Sequence, residues 1–311
     1  MSTLPLRPLS GQLQKVAREQ LFEDPANIQE NLNAFREWIK KSPHLKSRND
    51  DQFLVSFLRG CKYSLERAKQ KLDMYYTLRT HIPELFADRD PTSEKNQTVI
   101  KLGAALPLPI TDSPDSPRLM LMRPGAFDAT KFTMQDVMKI STMVMDISMQ
   151  EDDNMTVAGQ IGIVDLANVT LAHLIQMQPA FIKKMTMMWQ DGLPIRQKGV
   201  HYINTPKSFE QVFNIIKSFM NEKMRSRVYV HSSLDSLYKV VPRRLMPSEY
   251  EGEAGSLQSL VEKWEKKLHS YRDYFVEDIK FGVDEKKRPG RPKNPDSLFG
   301  IDGTFRQLQF D

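Results

Sequence analysis

Apolar residues in the first 90 positions recur with the spacing of helices. One helical face consists of Ile28, Leu32, Phe35, Trp38 and Ile39. Two more stretches with this spacing follow Asp50 and Ser64, residue types that commonly start helices, and Pro83 ends the second of them. The pattern therefore predicts a small helical domain over residues 1–90.

From residue 118 onward, short apolar runs typical of buried strands alternate with helical patterns. Strands are predicted at 118–122, 160–166, 199–204 and 227–231. Helices are predicted from a capping box at Thr133 to about 149, and at 171–189, 206–220 and 256–275. Such alternation is typical of a mainly parallel sheet with helices on its faces. We therefore predict an α/β domain over residues 91–280, whose proline-rich start at 91–117 is largely loop.

Residues 281–311 form a separate tail with its own composition. Its segment 284–293 is charged and rich in Pro and Gly, and apolar residues at 298–299 and 305–308 are suited to docking back on the body. The run 288–292 is similar to an AT-hook, which binds the DNA minor groove, but proline replaces the first arginine of its core. We expect a solvated, extended basic linker and no nucleic-acid partner. The sequence identifies no protein partner.

Methionine is unusually frequent in the centre of the α/β region. Ten of the 17 methionines lie between positions 134 and 188. The methionine side chain is flexible and polarizable and fills irregular apolar space without fixing its shape. The clustering is therefore compatible with a loosely packed core or with a deformable ligand cavity.

Charge and cysteine content narrow the class of protein. The formal net charge of +5 and the pI of about 9.1 favour an anionic surface as partner but do not by themselves indicate nucleic acid. Cys61 is the only cysteine, so no intrachain disulfide can form. No apolar run has the length of a signal peptide core or of a membrane span. We expect a cytoplasmic protein.

The sequence carries no recognisable catalytic constellation. A nucleophile elbow and a phosphate-binding glycine loop are missing, and the six histidines lack metal-ligand spacing. Asp165 ends a predicted strand, where it is either a carboxylate of an active site or a structural group that binds nearby backbone amides, and we favour the second. Cys61 is interpreted as unreactive. We predict a protein that is not an enzyme and that uses no metal or cofactor.

Four segments together resemble one known family. They are Phe57 to Ala68, Ile163-Val164-Asp165-Leu166, Pro194 to Asn204 followed by Pro206, and Leu245 to Gly252. In order and spacing they are similar to the CRAL-TRIO lipid-binding family from about residue 28 to 276. Within that family the chain looks most like the branch of the tocopherol transfer and retinaldehyde-binding proteins, and its tail from Phe281 resembles those of insect members.

The resemblance implies an apolar pocket that is closed by a helical lid. Positions that match pocket residues of this branch are Met138, Ser141, Met145, Gln160, Val164, Met177, Met188, Trp189, Ile195 and Val200. The lid would carry an apolar stripe of Phe209, Val212, Phe213, Ile216, Phe219 and Met220. Ser141 and Gln160 would orient a hydroxyl or carbonyl group, or be hydrogen-bonded within the fold. A helix packed permanently on the core would show the same stripe.

The resemblance also implies a phosphoinositide site next to the lid. Its basic residues would be Arg196, Lys198, Lys223 and Arg227. The chain departs from the family pattern at Cys61, where an arginine is common, at Gln70, where a further basic residue occurs, and at Glu251, which replaces a glycine. Met145 replaces a small polar pocket residue, so the ligand need not be tocopherol.

These features together imply a carrier of small hydrophobic molecules. We expect it to bind a tocopherol-, retinoid- or carotenoid-like molecule and to exchange it at membranes, with which it associates transiently, when phosphoinositide opens the lid. The alternative is a phosphoinositide-sensing adaptor whose pocket is structural. The identity of the ligand, the phosphoinositide and the oligomeric state do not follow from the sequence.

Overall fold

The protein is described by a computed structural model over residues 6–300. The helices are α1 (Gly11–Leu21), α2 (Ile28–Lys40), α3 (Asp51–Gly60), α4 (Leu65–His81), α5 (Pro83–Phe86), α6 (Glu94–Lys101), α7 (Met134–Glu151), α8 (Leu171–Gln176), α9 (Pro179–Met187), α10 (Phe209–Phe219), α11 (Glu222–Arg225), α12 (Leu234–Tyr238), α13 (Leu257–Ser270), α14 (Arg272–Glu277) and α15 (Pro295–Phe299). The strands are β1 (Leu45–Lys46), β2 (Ala105–Pro107), β3 (Arg118–Met122), β4 (Gln160–Asp165), β5 (Gln197–Ile203), β6 (Val228–Val230) and β7 (Gly282–Val283).

The N-terminal helices pack around a largely aromatic core. Asp50 caps α3 by accepting a hydrogen bond from the Phe53 amide at 2.9 Å, as the sequence indicates. Phe53, Phe57 and Tyr76 are fully buried in this core. The sequence analysis did not identify α1, which packs mainly on the π-helical turn Asn154–Ala158 and also contacts α3.

Five strands form the central sheet in the order β2-β3-β4-β5-β6. Strands β3 to β6 are parallel, and β2 joins the edge antiparallel to β3. Successive side chains of a strand point to opposite faces. Ile163 therefore lies on one face with Leu119 and Leu121, whereas Val164 lies on the other face with Tyr202.

Helices cover both faces of this sheet. α12 and α13 pack on the Ile163 face, and α8, α9 and α10 pack on the Val164 face. This mixed α/β architecture with a mainly parallel sheet confirms the predicted fold class.

The predicted segment 171–189 is not one helix. It divides into α8, α9 and a π-helical turn at Met188–Gly192. Pro179 cannot continue a helix and disfavours helical backbone at the residue before it, so Gln178 is extended with φ −64° and ψ 147°. The predicted helix 256–275 likewise divides at Tyr271 into α13 and α14. Helix α6 and the short edge strand β2 lie in the segment 91–117, which the sequence predicts to be largely loop.

The first part of the tail is a strap against the body, not a solvated linker. β7 pairs with β1, and Arg288 Nη1 lies 2.7 Å from Asp73 Oδ1. Lys293 Nζ lies 2.6 Å from the other carboxylate oxygen of Asp73. Arg288 of the AT-hook-like run is thus held in an ion pair, contrary to our expectation. Phe299 is buried against α9, as predicted for 298–299, while residues 305–308 lie outside the described range.

A buried ionic network joins the N-terminal part to α7 and to the turn that follows α14. Asp146 accepts hydrogen bonds from Arg79 and, at 2.6 Å, from Arg89. Both arginines also bind Asp278. Burial alone would raise the pKa of Asp146, but the two arginines hold this pKa below its ordinary value. The carboxylate is therefore paired and charged, and the network fixes how the helical part sits on the α/β part.

Candidate functional site

An apolar cavity of about 240 Å³ lies between the Val164 face of the sheet and helices α7 to α10. Eight of the ten pocket positions suggested by sequence line it, namely Met138, Ser141, Gln160, Val164, Met177, Trp189, Ile195 and Val200. Their placement follows from local structure: Met138 and Ser141 are one turn apart on α7, and Gln160 and Val164 share one face of β4.

Met145 and Met188 do not line this cavity. They line a separate space of about 10 Å³ with Tyr75, Arg79 and Asp146, at the junction with the N-terminal helices. Met145 lies on the same face of α7 as Met138, but because it comes seven residues later it is about 10 Å further along the helix axis. The sequence period gives the correct face of α7, but it cannot show where along that face the cavity ends.

Several wall residues were missed by sequence reasoning. They are Ala104, Met122, Pro124, Met134, Val137, Leu166, Val169, His173, Leu174, Phe181, Ile182, Met185, Thr186, Gln190, Gln197, Tyr202 and Met224. The helical spacing of Phe181, Ile182 and Met185 on α9 is the signal that could have identified part of this set. Four methionines of the cluster at 134–188 thus line the cavity, which connects the unusual composition to the deformable wall.

The segment predicted as a lid lies over the cavity as α10. Phe209, Ile216 and Met220 line the cavity, and Val212 is fully buried beside them. The ring of Phe213 packs edge-on against Tyr202, with centroids 5.2 Å apart. Phe219 packs on the same apolar cluster. The helix begins at Phe209 instead of Pro206, so residues 204–208 connect it to β5.

Basic side chains gather beside the end of this helix. Burial, followed by repulsion from Arg196 and Arg227, lowers the pKa of Lys198 below its ordinary value. Burial and the charge of Arg227 likewise lower the pKa of Lys223. The structure thus brings the four predicted basic residues close enough to repel one another.

Two further cations belong to the same surface. The charge of Lys62 lowers the pKa of both Lys198 and Lys223, and the charge of Arg67 lowers the pKa of Lys223. We call these two residues, together with Arg196, Lys198, Lys223 and Arg227, the basic cluster. Within residues 6–300, the ion pairs to carboxylates involve none of these six side chains. Uncompensated cations in such proximity favour a polyvalent anion.

The cluster is fixed to the backbone near the cavity. Arg196 donates from Nη1 to the Val157 carbonyl at 2.6 Å, and Arg227 donates to the Gln197 carbonyl. Gln197 lies in the cavity wall, so the basic cluster and the cavity share one strand, β5. Sequence reasoning missed Lys62 and Arg67 because they lie in the helical domain, more than a hundred positions before β5.

Asp165 holds the closing segment of the domain in place. Its carboxylate accepts hydrogen bonds from the Tyr250 hydroxyl at 2.5 Å, the Asn204 side chain at 2.8 Å and the Ala167 amide at 2.9 Å. These partners satisfy both carboxylate oxygens and match the structural interpretation that we favoured from sequence.

Other chemistry finds little support in the described part of the chain. No group of three His, Cys, Asp or Glu side chains in residues 6–300 is arranged to hold a metal ion. Burial raises the pKa of the Cys61 thiol, which disfavours the reactive thiolate. None of the helices in this range is long and apolar enough to cross a bilayer.

Comparison with known proteins identifies the family. Residues 108–252 match the CRAL/TRIO domain. The human protein named alpha-tocopherol transfer protein-like is 33% identical over 273 residues, which cover 87% of this chain and 78% of that protein. The chain belongs to the CRAL/TRIO family. The matched range of this CRAL/TRIO protein contains every cavity-lining residue except Ala104.

Further matches extend over the rest of the chain. Residues 24–96 match a domain described as Pinta-like, UBA domain, which spans α2 to α5 and part of α6. Human Clavesin-2 is 26% identical over 293 residues, covering 92% of this CRAL/TRIO protein and 88% of Clavesin-2. The crystal structure of Sfh5 aligns with a TM-score of 0.45 and 14% identity, over 82% of this chain and 92% of that chain.

Proposed function

We propose that this CRAL/TRIO protein carries one small hydrophobic molecule in its cavity and exchanges it at phosphoinositide-bearing membranes. The observation that carries the proposal is an apolar cavity under the lid helix, beside six cations without carboxylate partners in the described residues. An apolar wall with few polar groups is typical of sites for hydrophobic ligands. The name of the relative that is 33% identical refers to tocopherol transfer and supports the same class of ligand.

The chain offers a physical route from the basic cluster to the lid. Lys223 lies on α11, directly after the lid helix, and the next residue, Met224, lines the cavity. Arg225 Nε donates to the carbonyl of Met220 at 3.0 Å, which ties α11 to the end of the lid. Phosphates that bind Lys223 together with Lys198 relieve their mutual repulsion and draw α11 toward the membrane. We infer that this movement lifts the lid and exposes its apolar face to lipid.

The ligand is best identified by native mass spectrometry with solvent extraction, on protein purified from its own tissue. We expect one apolar molecule per chain. An empty protein that nevertheless binds phosphoinositide vesicles would favour the adaptor function instead of the carrier.

The exchange mechanism is tested by changing Arg196, Lys198, Lys223 and Arg227 together to alanine. We expect stimulation of ligand exchange by vesicles with phosphatidylinositol bisphosphate to disappear, while ligand affinity in solution stays within about twofold. The control changes Lys239, Lys263, Lys266 and Lys286, four exposed lysines outside the basic cluster, so that the same charge is removed elsewhere. Unchanged stimulation in the first variant would contradict the mechanism.

A further inference from the structure

One oxygen in the cavity wall has no hydrogen-bond partner among the described residues. Gln160 begins β4, lines the cavity and is 1% exposed. Its Nε2 donates to Gln197 Oε1 at 3.3 Å, whereas its Oε1 is unpartnered. A buried polar atom without a partner destabilises the fold, so its persistence calls for an explanation.

A backbone carbonyl determines that the unpartnered atom is an acceptor. Gln197 Nε2 donates to the carbonyl oxygen of Gly199 at 2.5 Å, and this oxygen can only accept. Gln197 must therefore present Oε1 toward Gln160, and Gln160 must present Nε2 toward Gln197. Reversing either amide would place two oxygens against each other. These two hydrogen bonds thus fix the orientation of both side-chain amides, and they leave the carbonyl oxygen of Gln160 in the wall without a donor.

The nearby polar groups do not supply the missing donor. Ser141 donates its hydroxyl to the Val137 carbonyl at 3.0 Å, so its remaining lone pairs also accept. His173 and Gln190 have both polar side-chain atoms bonded to protein partners. Tyr202 pairs in register with Val164, four residues along β4 from Gln160, which is about 13 Å away at the rise of a strand.

We infer that Gln160 accepts a hydrogen bond from a hydroxyl group of the bound ligand and that Gln197 fixes this polarity. The inference rests on the proposed function and narrows its ligand to an apolar alcohol or phenol. An aldehyde, ester or methyl ether with the same hydrocarbon body has no hydroxyl to donate, so it leaves the Gln160 oxygen without a partner and is disfavoured.

The position of Gln160 also orients the ligand. The backbone amide of Gln160 donates to the backbone carbonyl of Arg196 at 3.0 Å. The preceding residue, Gly159, lies so close to the side chain of Lys198 that an added Cβ atom would be 3.2 Å from it. The hydroxyl end of the ligand therefore lies at the end of the cavity that adjoins the basic cluster, and the apolar body extends toward Val164 and Tyr202.

Matched probe pairs test the inference. We would measure the affinity of the whole chain for retinol against retinaldehyde, and for α-tocopherol against its methyl ether. For the pair whose hydrocarbon body fits the cavity, we expect the alcohol or phenol to bind at least about tenfold more tightly than its aldehyde or ether. Only the hydroxyl form donates a hydrogen bond to Gln160 Oε1. Gln160→Met should remove this preference while leaving the affinity for the aldehyde or ether within about twofold.

Two further variants separate specificity from a general loss of packing. Gln197→Met frees the Gln160 amide to turn and offer its donor, so the ratio of alcohol to aldehyde affinity should fall although Gln160 is intact. Thr186→Val removes another hydroxyl from the wall and should leave the ratio unchanged.

The outcomes are distinguishable. An aldehyde or ether that binds as tightly as its alcohol would overturn the inference while leaving the carrier function standing. A preference that Thr186→Val abolishes would overturn it as well. If the protein binds none of the four probes, both this inference and the proposed function as a carrier of this class of ligand are rejected.

Discussion

Gln190 binds the end of the lid helix through Phe219. Its Nε2 donates to the backbone carbonyl of Phe219 at 3.1 Å, and its Oε1 accepts the amide of Asn221 at 2.8 Å. One side chain thus satisfies a backbone acceptor and a backbone donor where α10 ends. The carbonyl of Gln190 itself accepts a hydrogen bond from Lys71 Nζ of α4 at 2.8 Å. The end of α10 is therefore fixed over the cavity by a residue that α4 supports.

Gln190→Met should make the lid easier to open. It removes two hydrogen bonds, each worth roughly 0.5–1.5 kcal/mol, and keeps a similar side-chain volume. We expect spontaneous transfer of a fluorescent ligand to neutral vesicles to accelerate about tenfold. Stopped-flow fluorescence with acceptor vesicles that lack phosphoinositide measures this rate.

The matched control for this change is Gln211→Met, which lies on the exposed side of the same helix. The control should transfer ligand at the rate of the unchanged protein. Equal rates for Gln190→Met and the unchanged protein would show that these hydrogen bonds do not limit opening.

Gly60 allows the helical domain to approach the segment that leads into β5. A Cβ atom at this position would lie 2.1 Å from the carbonyl oxygen of Pro194, which is far inside contact distance. Gly60→Ala should therefore push the segment before Arg196 outward. We expect a loss of about 2 kcal/mol in the free energy of unfolding, together with weaker stimulation by phosphoinositide vesicles.

Chemical denaturation and vesicle exchange assays measure the two effects of Gly60→Ala. Gly11→Ala serves as control, because a Cβ there meets no atom within 4 Å. If Gly60→Ala is as stable as the control, the contact with Pro194 is not the constraint that we describe.

Asp73 should make the attachment of the tail depend on pH. Burial raises the pKa of its carboxyl, but hydrogen bonds from Lys293, His44 and Arg288 outweigh that effect and hold the pKa below its ordinary value. Because the pKa of Asp73 is lower in the folded than in the unfolded chain, its ion pairs stabilise the fold fully at a pH above the unfolded-state pKa of about 3.9. This stabilisation is lost as the pH falls through the folded-state pKa. The strap should therefore loosen below about pH 4.

Hydrogen exchange at the amides of Val283 and Asp284, corrected for intrinsic rates, measures the attachment of the strap. The amide of Val283 donates to the Thr80 hydroxyl, and the amide of Asp284 donates to the backbone carbonyl of His44. Asp73→Asn should accelerate their exchange about tenfold at neutral pH, whereas Asp235→Asn, a change at an exposed carboxylate, should not. Protection that is insensitive to both Asp73→Asn and acid would contradict the role of Asp73.

The local pattern of the sequence determined most elements of the fold. Apolar runs located β3, β4 and β5 to within two residues at either end, and the capping box at Thr133 placed the start of α7. Periodicity succeeds here because strand and helix geometry repeat every two and every 3.6 residues, independently of distant contacts. Local periodicity showed the apolar stripe of the lid segment, whereas its assignment as a lid and the choice of the four basic residues came from the resemblance to the family.

Only the tertiary structure decided which of these residues share one site. Met145 and Met188 match the pocket positions of the family but lie in a separate small space, which Tyr75 of α4 also lines. Lys62 and Arg67 join the basic cluster from another part of the chain. The free oxygen of Gln160 depends on Gln197 and the carbonyl of Gly199. The cavity, the basic cluster and the orientation of the Gln160 side chain all form where elements distant in sequence come into contact. The pattern within one segment of sequence does not contain such contacts.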